Sequence, residues 1–311
     1  MKHRQSLSNN HAMKDNGTLI NMKNDKNSRI EQLLDMAYTT ESAKRTASIA
    51  RQILEISPDN TEALILIADM TEDHHSREEI LLHALKSLDD PQNFSPDDKD
   101  ELTFSVNYRL AYTYFTVNRP GDSLLCCENA LKISDIDDDS ANDIKELYYR
   151  VLIELEEWPR ILSETLKDDS HSLAWAYSRL VAAWMTAPGK SMSVCANMFW
   201  DALSLAPDVP FYMLNYYDEP DDGDEHPDFD FAFMYYDVLS VSDDFSDWFK
   251  RGTILFGLLT NRFDEREREY VLDVLDALGG YEEYERMSNL VVEGDDMAVI
   301  EILAANKCLS E

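Results

Sequence analysis

The chain has 311 residues, and its 61 acidic side chains outnumber its 28 basic ones to give a formal net charge of −33. Such a surface repels both a phosphate backbone and an anionic membrane leaflet, so neither a nucleic acid nor a membrane is an expected partner. Nine glycines and ten prolines are too few for a β architecture with many turns, and the sequence predicts an all-α fold.

The N-terminal segment differs from the rest of the chain. Residues 1–26 are rich in Asn, Lys and Ser and lack apolar periodicity, which predicts a disordered tail. From Ser28 onward, apolar residues recur three and four positions apart, and predicted helices follow in pairs with short polar joints. Five such units start at residues 27, 61, 104, 142 and 176, at intervals of 34, 43, 38 and 34 residues.

The third unit shows the packing pattern most clearly. Ala111, Ser123 and Ala130 are small residues at positions 8, 20 and 27 of the segment Phe104–Asp137, where two helices of a hairpin must approach closely. This pattern resembles the tetratricopeptide repeat (TPR) family, whose unit is about 34 residues long. The resemblance implies a superhelical solenoid of helical hairpins over residues 27–207, in which stacked hairpins bury a core that no single hairpin can bury.

A narrower similarity lies around the fifth unit. The run Ala174–Arg179, followed by Ala202-Leu203 and by Ala206–Tyr212, is similar to bacterial TPR proteins related to the suppression-of-tumorigenicity family. The similarity extends over about residues 45–260. It implies a helical scaffold that has no known catalytic motif.

Residues 208–311 have a different composition. The stretch Ser191–Phe249 carries 14 acidic residues and no Lys or Arg. The segment Asp218–Glu225 predicts a loop. The alternating aromatic residues of Phe229–Tyr236 are interpreted as part of a helical cap that closes the solenoid, with a binding surface for an extended partner as the alternative. Helices are predicted at Phe229–Val241, Phe245–Leu259, Glu265–Leu278, Tyr281–Val291 and Asp295–Asn306.

One acidic segment has the spacing of a calcium-binding loop. Its carboxylates at loop positions 1, 3, 5, 9 and 12 are Asp135, Asp137, Asp139, Asp143 and Glu146. Ser140 stands where the loop needs a glycine, and no second loop of this kind follows. The favoured interpretation is a joint between repeats whose Asp side chains cap the next helix. Calcium remains the alternative, and no other metal or cofactor is expected.

Three further patterns are interpreted as structural. Residues 187–191 resemble the end of a phosphate-binding loop but lack its first glycine. The adjacent His74 and His75 have no compact third metal ligand. Cys126 and Cys127 have no neighbouring base or cation that would activate a thiol. The sequence contains no catalytic signature, and we expect no enzyme.

The cysteines and the N-terminus indicate the compartment. None of the four cysteines has disulfide or zinc-site spacing, which fits a reducing environment. The basic residues near the N-terminus are not followed by the apolar stretch of a signal peptide. We therefore expect a soluble cytoplasmic protein.

The TPR resemblance also implies which residues face a concave groove, namely positions 2, 5, 9, 12 and 13 of the first helix of each unit. The groove is then acidic at one end and aromatic at the other. The Lys and Asn that bind acidic chaperone tails in this family are missing, so a basic or basic and aromatic segment is the expected ligand. Packing between hairpins is the alternative role for the same tyrosines. The expected groove residues are Tyr38, Asp69, Tyr108, Tyr112, Phe115, Arg150, Tyr177 and Trp184.

These features together predict a non-catalytic scaffold that binds an extended or helical segment of a partner protein in its groove. The alternative is a helical ligand-binding protein or enzyme that uses the acidic, aromatic C-terminal region, with a divalent cation at Asp135–Glu146. A cation-linked site of this kind would make thermal stability depend on Ca²⁺.

Overall fold

The structure is a computed structural model. It describes residues 26–95, 98–134, 136–186, 192–220, 226–291 and 295–310. Residues 1–25 of the predicted disordered tail therefore lie outside the described residues. Residues 221–225 of the predicted loop also lie outside them. Within the described ranges the secondary structure is helical and contains no strand, which confirms the all-α prediction.

The helices follow one another in chain order. The first eight described helices are α1 (26–38), α2 (Ala43–Ile56), α3 (Thr61–Asp69), α4 (His74–Ser87), α5 (Lys99–Thr116), α6 (Pro120–Ala130), α7 (Asp138–Glu154) and α8 (Trp158–Thr165). The later helices are α9 (Leu173–Thr186), α10 (Met192–Leu205), α11 (Val209–Met213), α12 (Pro227–Tyr235), α13 (Asp243–Leu259), α14 (Glu265–Ala277), α15 (Tyr281–Ser288) and α16 (Asp296–Ala305). A 3₁₀ helix, Tyr236–Val241, joins α12 to α13.

Consecutive helices pack against each other. Each helix from α2 to α5 contacts the next one along the chain, and so do α8 and α9. Such consecutive packing is consistent with an all-α helical repeat. The chain divides into a first unit, residues 1–144, and a second unit, residues 145–311, whereas the sequence changes character only after residue 207.

Some helices begin earlier than the repeat frame predicts. Helices α5, α7 and α9 start at residues 99, 138 and 173 rather than at 104, 142 and 176. For two of them the cause is a capping side chain, which satisfies a free N–H group of the first turn. The Asp137 carboxylate accepts the backbone N–H of Ser140 at 2.9 Å, and the Ser172 hydroxyl accepts that of Trp175 at 3.2 Å. Capping is a local effect that the repeat period does not capture.

The hairpin α5–α6 packs as its small residues predict. Ala111, Ser123 and Ala130 are all buried. The Ser123 hydroxyl donates a hydrogen bond to the carbonyl oxygen of Ala111 at 2.8 Å. A side chain of α6 therefore contacts the backbone of α5 directly. The close approach that the repeat pattern requires is therefore present in this unit.

The core of the second unit is built around α13. The Phe249 ring lies 5.2 Å from that of Phe199, and the Trp248 ring lies 4.9 Å from that of Trp184. Glycine lets neighbouring side chains approach the helix backbone: a Cβ atom at Gly257 would lie 2.5 Å from the Phe263 ring. The predicted helix Phe229–Val241 is divided into α12 and the 3₁₀ helix, while α13 to α16 match the predictions to within a turn.

Asp168 anchors a partly buried polar network in the second unit, and its own side chain is 7% exposed. The carboxylate accepts hydrogen bonds from Lys145 Nζ at 3.0 Å, the Tyr149 hydroxyl at 3.0 Å and the backbone N–H of Ser170 at 3.1 Å. Burial alone raises the pKa of Asp168, but the hydrogen bonds from Lys145, Ser170 and Tyr149 outweigh it and hold the pKa below its usual value. The ionised carboxylate therefore stabilises the folded state.

The substitution Asp168→Asn should lower the free energy of unfolding at pH 7 by about 1–2 kcal/mol, because the charge-assisted hydrogen bonds are lost. A depressed pKa contributes stability above the unfolded value of about 3.9 and loses it as the pH falls through the folded value. The difference between the wild type and the variant should thus shrink below about pH 4. Urea unfolding at pH 7, 5 and 3 tests this, and a difference independent of pH would contradict it.

Candidate functional site

One face of α5 carries three of the expected groove residues. Tyr108, Tyr112 and Phe115 follow one another at intervals of four and three residues, so they share a side of the helix. Tyr112 is 45% exposed, while Tyr108 and Phe115 are partly buried. The Tyr108 ring stacks on that of Phe104, one turn earlier, with centroids 6.1 Å apart and an interplanar angle of 4°.

A pocket of about 440 Å³ opens at the N-terminal end of this face. The stacked Phe104 and Tyr108 rings form part of its wall, and residues just before and within the first turns of α7 line it as well. An aromatic wall beside acidic side chains attracts a cation. The lining residues are Glu101, Phe104, Ser105, Tyr108, Arg109, Ile136, Asp137, Ser140 and Asp143.

The basic side chain of the pocket is already paired. Arg109 binds both carboxylate oxygens of Asp69, at 2.7 and 2.9 Å, and its third nitrogen contacts the Ser105 hydroxyl at 2.6 Å. This bidentate pair offsets the charge of Arg109 and engages the expected groove residue Asp69 within the molecule. The sequence did not predict a role for Arg109, because its partner lies 40 residues earlier in the chain.

The acidic side chains of the pocket are not neutralised in this way. Among the residues that the structure describes, Glu101, Asp137 and Asp143 form no ion pair. Burial raises the pKa of Asp143, and the nearby carboxylates of Asp139 and Asp137 raise it further. The hydrogen bonds from Ser140 hold the pKa of Asp137 below its usual value. The pocket is therefore a site of negative potential that a bound cation would relieve.

Tyr38 lies within electrostatic range of the same pocket. Its ring is exposed, and its hydroxyl donates a hydrogen bond to the Glu62 carboxylate at 3.1 Å. Burial of the hydroxyl and then the charge of Glu62 raise the pKa of Tyr38, and Glu101 raises it further while Arg109 opposes them. The first unit thus brings together Tyr38, Asp69 and the aromatic face of α5.

The expected groove residues of the second unit are buried instead. Arg150, Tyr177 and Trp184 are only 3%, 2% and 6% exposed. The second unit covers them with its own later helices: the Tyr177 ring lies 5.3 Å from that of Phe231, and the Trp184 ring 4.9 Å from that of Trp248. These three residues belong to a core rather than to an open groove, which corrects the prediction.

Arg150 is held by the segment that follows Phe231. Its Nε donates to the carbonyl oxygen of Met234 at 3.2 Å, and its guanidinium pairs with Asp237 and with Glu154. Because this side chain is almost fully enclosed, it cannot serve as an anchor for an external ligand unless α12 moves away.

The aromatic run of α12 divides between two faces. Phe231 and Tyr235 are buried and stack with ring centroids 4.4 Å apart. The side chains of Phe233 and Tyr236 are 70% and 56% exposed. Helical geometry therefore separates one sequence run into a packing side and a surface side.

Most of the candidate calcium-binding segment, residues 135–146, is helical rather than a loop. Helix α7 begins at residue 138, so Asp139, Asp143 and Glu146 lie on a helix, and Asp137 serves as its cap. Asp135 lies outside the described residues. Across the ranges that the structure describes, no three His, Cys, Asp or Glu side chains are grouped closely enough to hold a metal ion.

The remaining sequence patterns are the histidines of α4, the adjacent cysteines and the partial phosphate-binding loop. Of the two adjacent histidines, His75 lies 3.6 Å from Glu79 on the same helix. A further histidine of α4, His83, hydrogen-bonds Asp59 at 2.8 Å. Cys126 and Cys127 are buried, and burial raises their pKa to about 11 and about 12, so both are neutral thiols at physiological pH. Residues 187–191, with the partial phosphate-loop pattern, lie outside the described residues.

Comparison with known proteins adds no assignment. Neither a protein-family model nor a curated protein matches the chain, and no solved structure matches it. Among the helices described, none combines the length and the apolar character that crossing a bilayer requires.

Proposed function

We propose that this protein is a non-catalytic interaction scaffold of TPR-type hairpins, and that its first unit binds a basic segment of a partner protein. The observation that carries the proposal is the pocket between α5 and the start of α7. There the stacked Phe104 and Tyr108 rings stand beside three carboxylates, Glu101, Asp137 and Asp143, that have no ion-pair partner in the described part of the chain.

The chemistry of this pocket selects a cation. A Lys or Arg side chain placed there would contact the aromatic faces and lie beside carboxylates whose mutual repulsion it reduces. Arg109 does not take this place, since its guanidinium is held by Asp69 and Ser105. An acidic peptide would instead add to the negative potential, and an acidic chaperone tail is therefore a poor ligand.

The remaining aromatic residues of α5 extend the site along the helix. Tyr112 and Phe115 continue the face from the pocket toward the C-terminal end of α5. Tyrosine and phenylalanine anchor partners with little loss of side-chain entropy, while acidic residues at the rim mainly accelerate association. A partner segment that has a basic residue next to apolar residues fits a charged pocket next to an aromatic face.

The buried cysteines support the expected compartment. The four cysteines, Cys126, Cys127, Cys195 and Cys308, are free and buried. Free thiols of this kind are typical of a reducing environment, so we place the scaffold in the cytoplasm.

The test removes the charges of the pocket and keeps its shape. A peptide selected on the wild-type protein from a random display library should be basic. Its affinity should fall at least about tenfold in the triple variant Glu101→Gln, Asp137→Asn and Asp143→Asn, because each amide has the size of the acid it replaces. Asn remains a good helix cap at position 137. Isothermal titration calorimetry measures the change.

The matched control is Glu55→Gln on α2, which removes one exposed carboxylate of the same unit away from the pocket. It should leave the affinity unchanged. A selected peptide without basic residues would contradict the proposal, and so would equal losses of affinity in the control and the triple variant.

A further inference from the structure

The second unit carries a series of neighbouring aromatic rings, which we call the aromatic ladder. Its four successive centroid distances are 5.4 Å (Tyr217 to Tyr212), 5.6 Å (Tyr212 to Phe229), 6.2 Å (Phe229 to Phe233) and 6.3 Å (Phe233 to Tyr236). Phe233 and Tyr236 are exposed, and the other three rings are partly buried. Two neighbouring exposed aromatic rings that continue into partly buried ones form a candidate contact surface for a partner.

The helix that carries Phe233 is anchored by its buried side. Phe231 and Tyr235, on the opposite side of α12, are fully packed, and the Tyr235 hydroxyl lies 3.2 Å from that of Ser178. Phe233 and Tyr236 project from this anchored helix and are 70% and 56% exposed. Because the helix is already ordered, a ligand that binds the ladder does not bear the entropic cost of forming it.

The part of the sequence that carries the ladder is strongly acidic. The stretch Ser191–Phe249, which contributes all five rings, holds 14 acidic residues and no Lys or Arg. Asp228 and Asp230 flank Phe229, and neither forms an ion pair within the part of the chain that the structure describes. Burial raises the pKa of Asp228, and the charge of Asp208 raises it further.

This charge decides between possible occupants. A second copy of the chain would bring an equally acidic stretch against the first, and an anionic membrane would be repelled in the same way. A cationic segment would be attracted. Arginine fits better than lysine, because its planar guanidinium stacks on aromatic faces and is less strongly hydrated than an ammonium group.

The spacing of the rings suggests the conformation of the ligand. In an extended segment, successive side chains on the same side are about 6.6 Å apart. The two exposed rings, Phe233 and Tyr236, are 6.3 Å apart, which is close to this repeat, so alternate side chains of an extended segment can reach both.

We propose that the aromatic ladder docks an extended segment of a partner protein that carries arginine at alternate positions. This surface lies in the second unit and is formed without any residue of the first-unit pocket. The two proposals can therefore fail separately.

The experiment uses two synthetic peptides of about twelve residues, one alternating arginine with serine and the other lysine with serine, titrated into the full chain at about 150 mM salt. The arginine peptide should bind about fivefold more tightly than the lysine peptide. The double variant Phe233→Ala and Tyr236→Ala should weaken the arginine peptide about tenfold and remove this preference, although it changes no charge.

Two controls separate the ladder from other effects. Tyr270→Ala removes a tyrosine that is 63% exposed on α14 and should leave the preference intact. The triple variant of the first-unit pocket should also retain it. The inference is overturned if both peptides bind equally well or if the ladder variant keeps the preference. It is also overturned if sedimentation shows that the ladder residues hold two copies of the chain together.

Discussion

The substitution Phe249→Ala should destabilise the second unit by about 3–5 kcal/mol, a large share of the stability of a typical domain. The Phe249 side chain is fully buried, and its ring lies 5.2 Å from that of Phe199, 5.9 Å from that of Phe245 and 6.3 Å from that of Tyr177. Truncation removes aromatic surface from a site enclosed by other rings. A cavity there cannot collapse easily, because rigid rings surround it.

The measurement can be restricted to this unit. All five tryptophans, Trp158, Trp175, Trp184, Trp200 and Trp248, lie in residues 145–311. Tryptophan fluorescence during urea unfolding therefore reports on the second unit, whereas circular dichroism follows the whole chain.

The chain offers a matched control for this prediction. Phe233→Ala removes the same side chain from the same unit, but this ring is 70% exposed, so the change in stability should stay within about 0.5 kcal/mol. Similar midpoints for both variants would show that the core around α13 is not packed as described. A stable Phe233→Ala variant also makes any loss of peptide binding attributable to the ladder.

Replacing Arg262 with methionine should lower the free energy of unfolding of the same unit by about 2–3 kcal/mol. The guanidinium binds Asp296 at 2.8 and 3.0 Å and Asp208 at 2.9 Å, and it lies 4.9 Å from the centre of the Phe256 ring. It thereby joins α16, and the residue that precedes α11, to the end of α13. The two carboxylates are partly exposed and can be hydrated after the change, so the expected cost is below that of a fully buried pair.

Arg262→Lys should fall between the wild type and the methionine variant. An ammonium group keeps the charge but cannot form the paired hydrogen bonds with Asp296 or stack on Phe256. Arg266→Met, at an exposed position of α14, is the control and should change the stability by less than about 0.5 kcal/mol. If lysine restored the full stability, charge alone and not the planar geometry would explain the role of Arg262.

Both proposed binding surfaces select a cation, but for different geometric reasons. The proposed site in the first unit is a pocket lined by carboxylates and a stacked ring pair, and the variants that test it change charge without changing shape. The ladder presents exposed rings on and just after α12, and the variants that test it change shape without changing charge. The acidic composition thus predicts the sign of the ligand, while the arrangement of the rings defines its form.

Local features of this protein follow from the order of its residues. Apolar spacing predicts the helical hairpins, and the ends of α13 to α16 lie within a turn of the predicted ones. The small residues Ala111 and Ser123 predict a close contact of two helices, and a hydrogen bond between them confirms it. Periodicity, capping and small packing residues act over a few positions, so they are visible in the sequence.

Long-range packing determines which of these side chains are buried and which ones pair. The periodicity places Tyr177 and Trp184 on an apolar helix face, but it cannot tell whether a partner protein or a later segment of the same chain covers that face. Here α12 and α13 cover it, and the exposed aromatic surface moves to Phe233 and Tyr236. Likewise, the pairing of Arg109 with Asp69 depends on two helices meeting 40 residues apart. Helical spacing specifies only the direction of a side chain, whereas burial depends on the segment that folds against it.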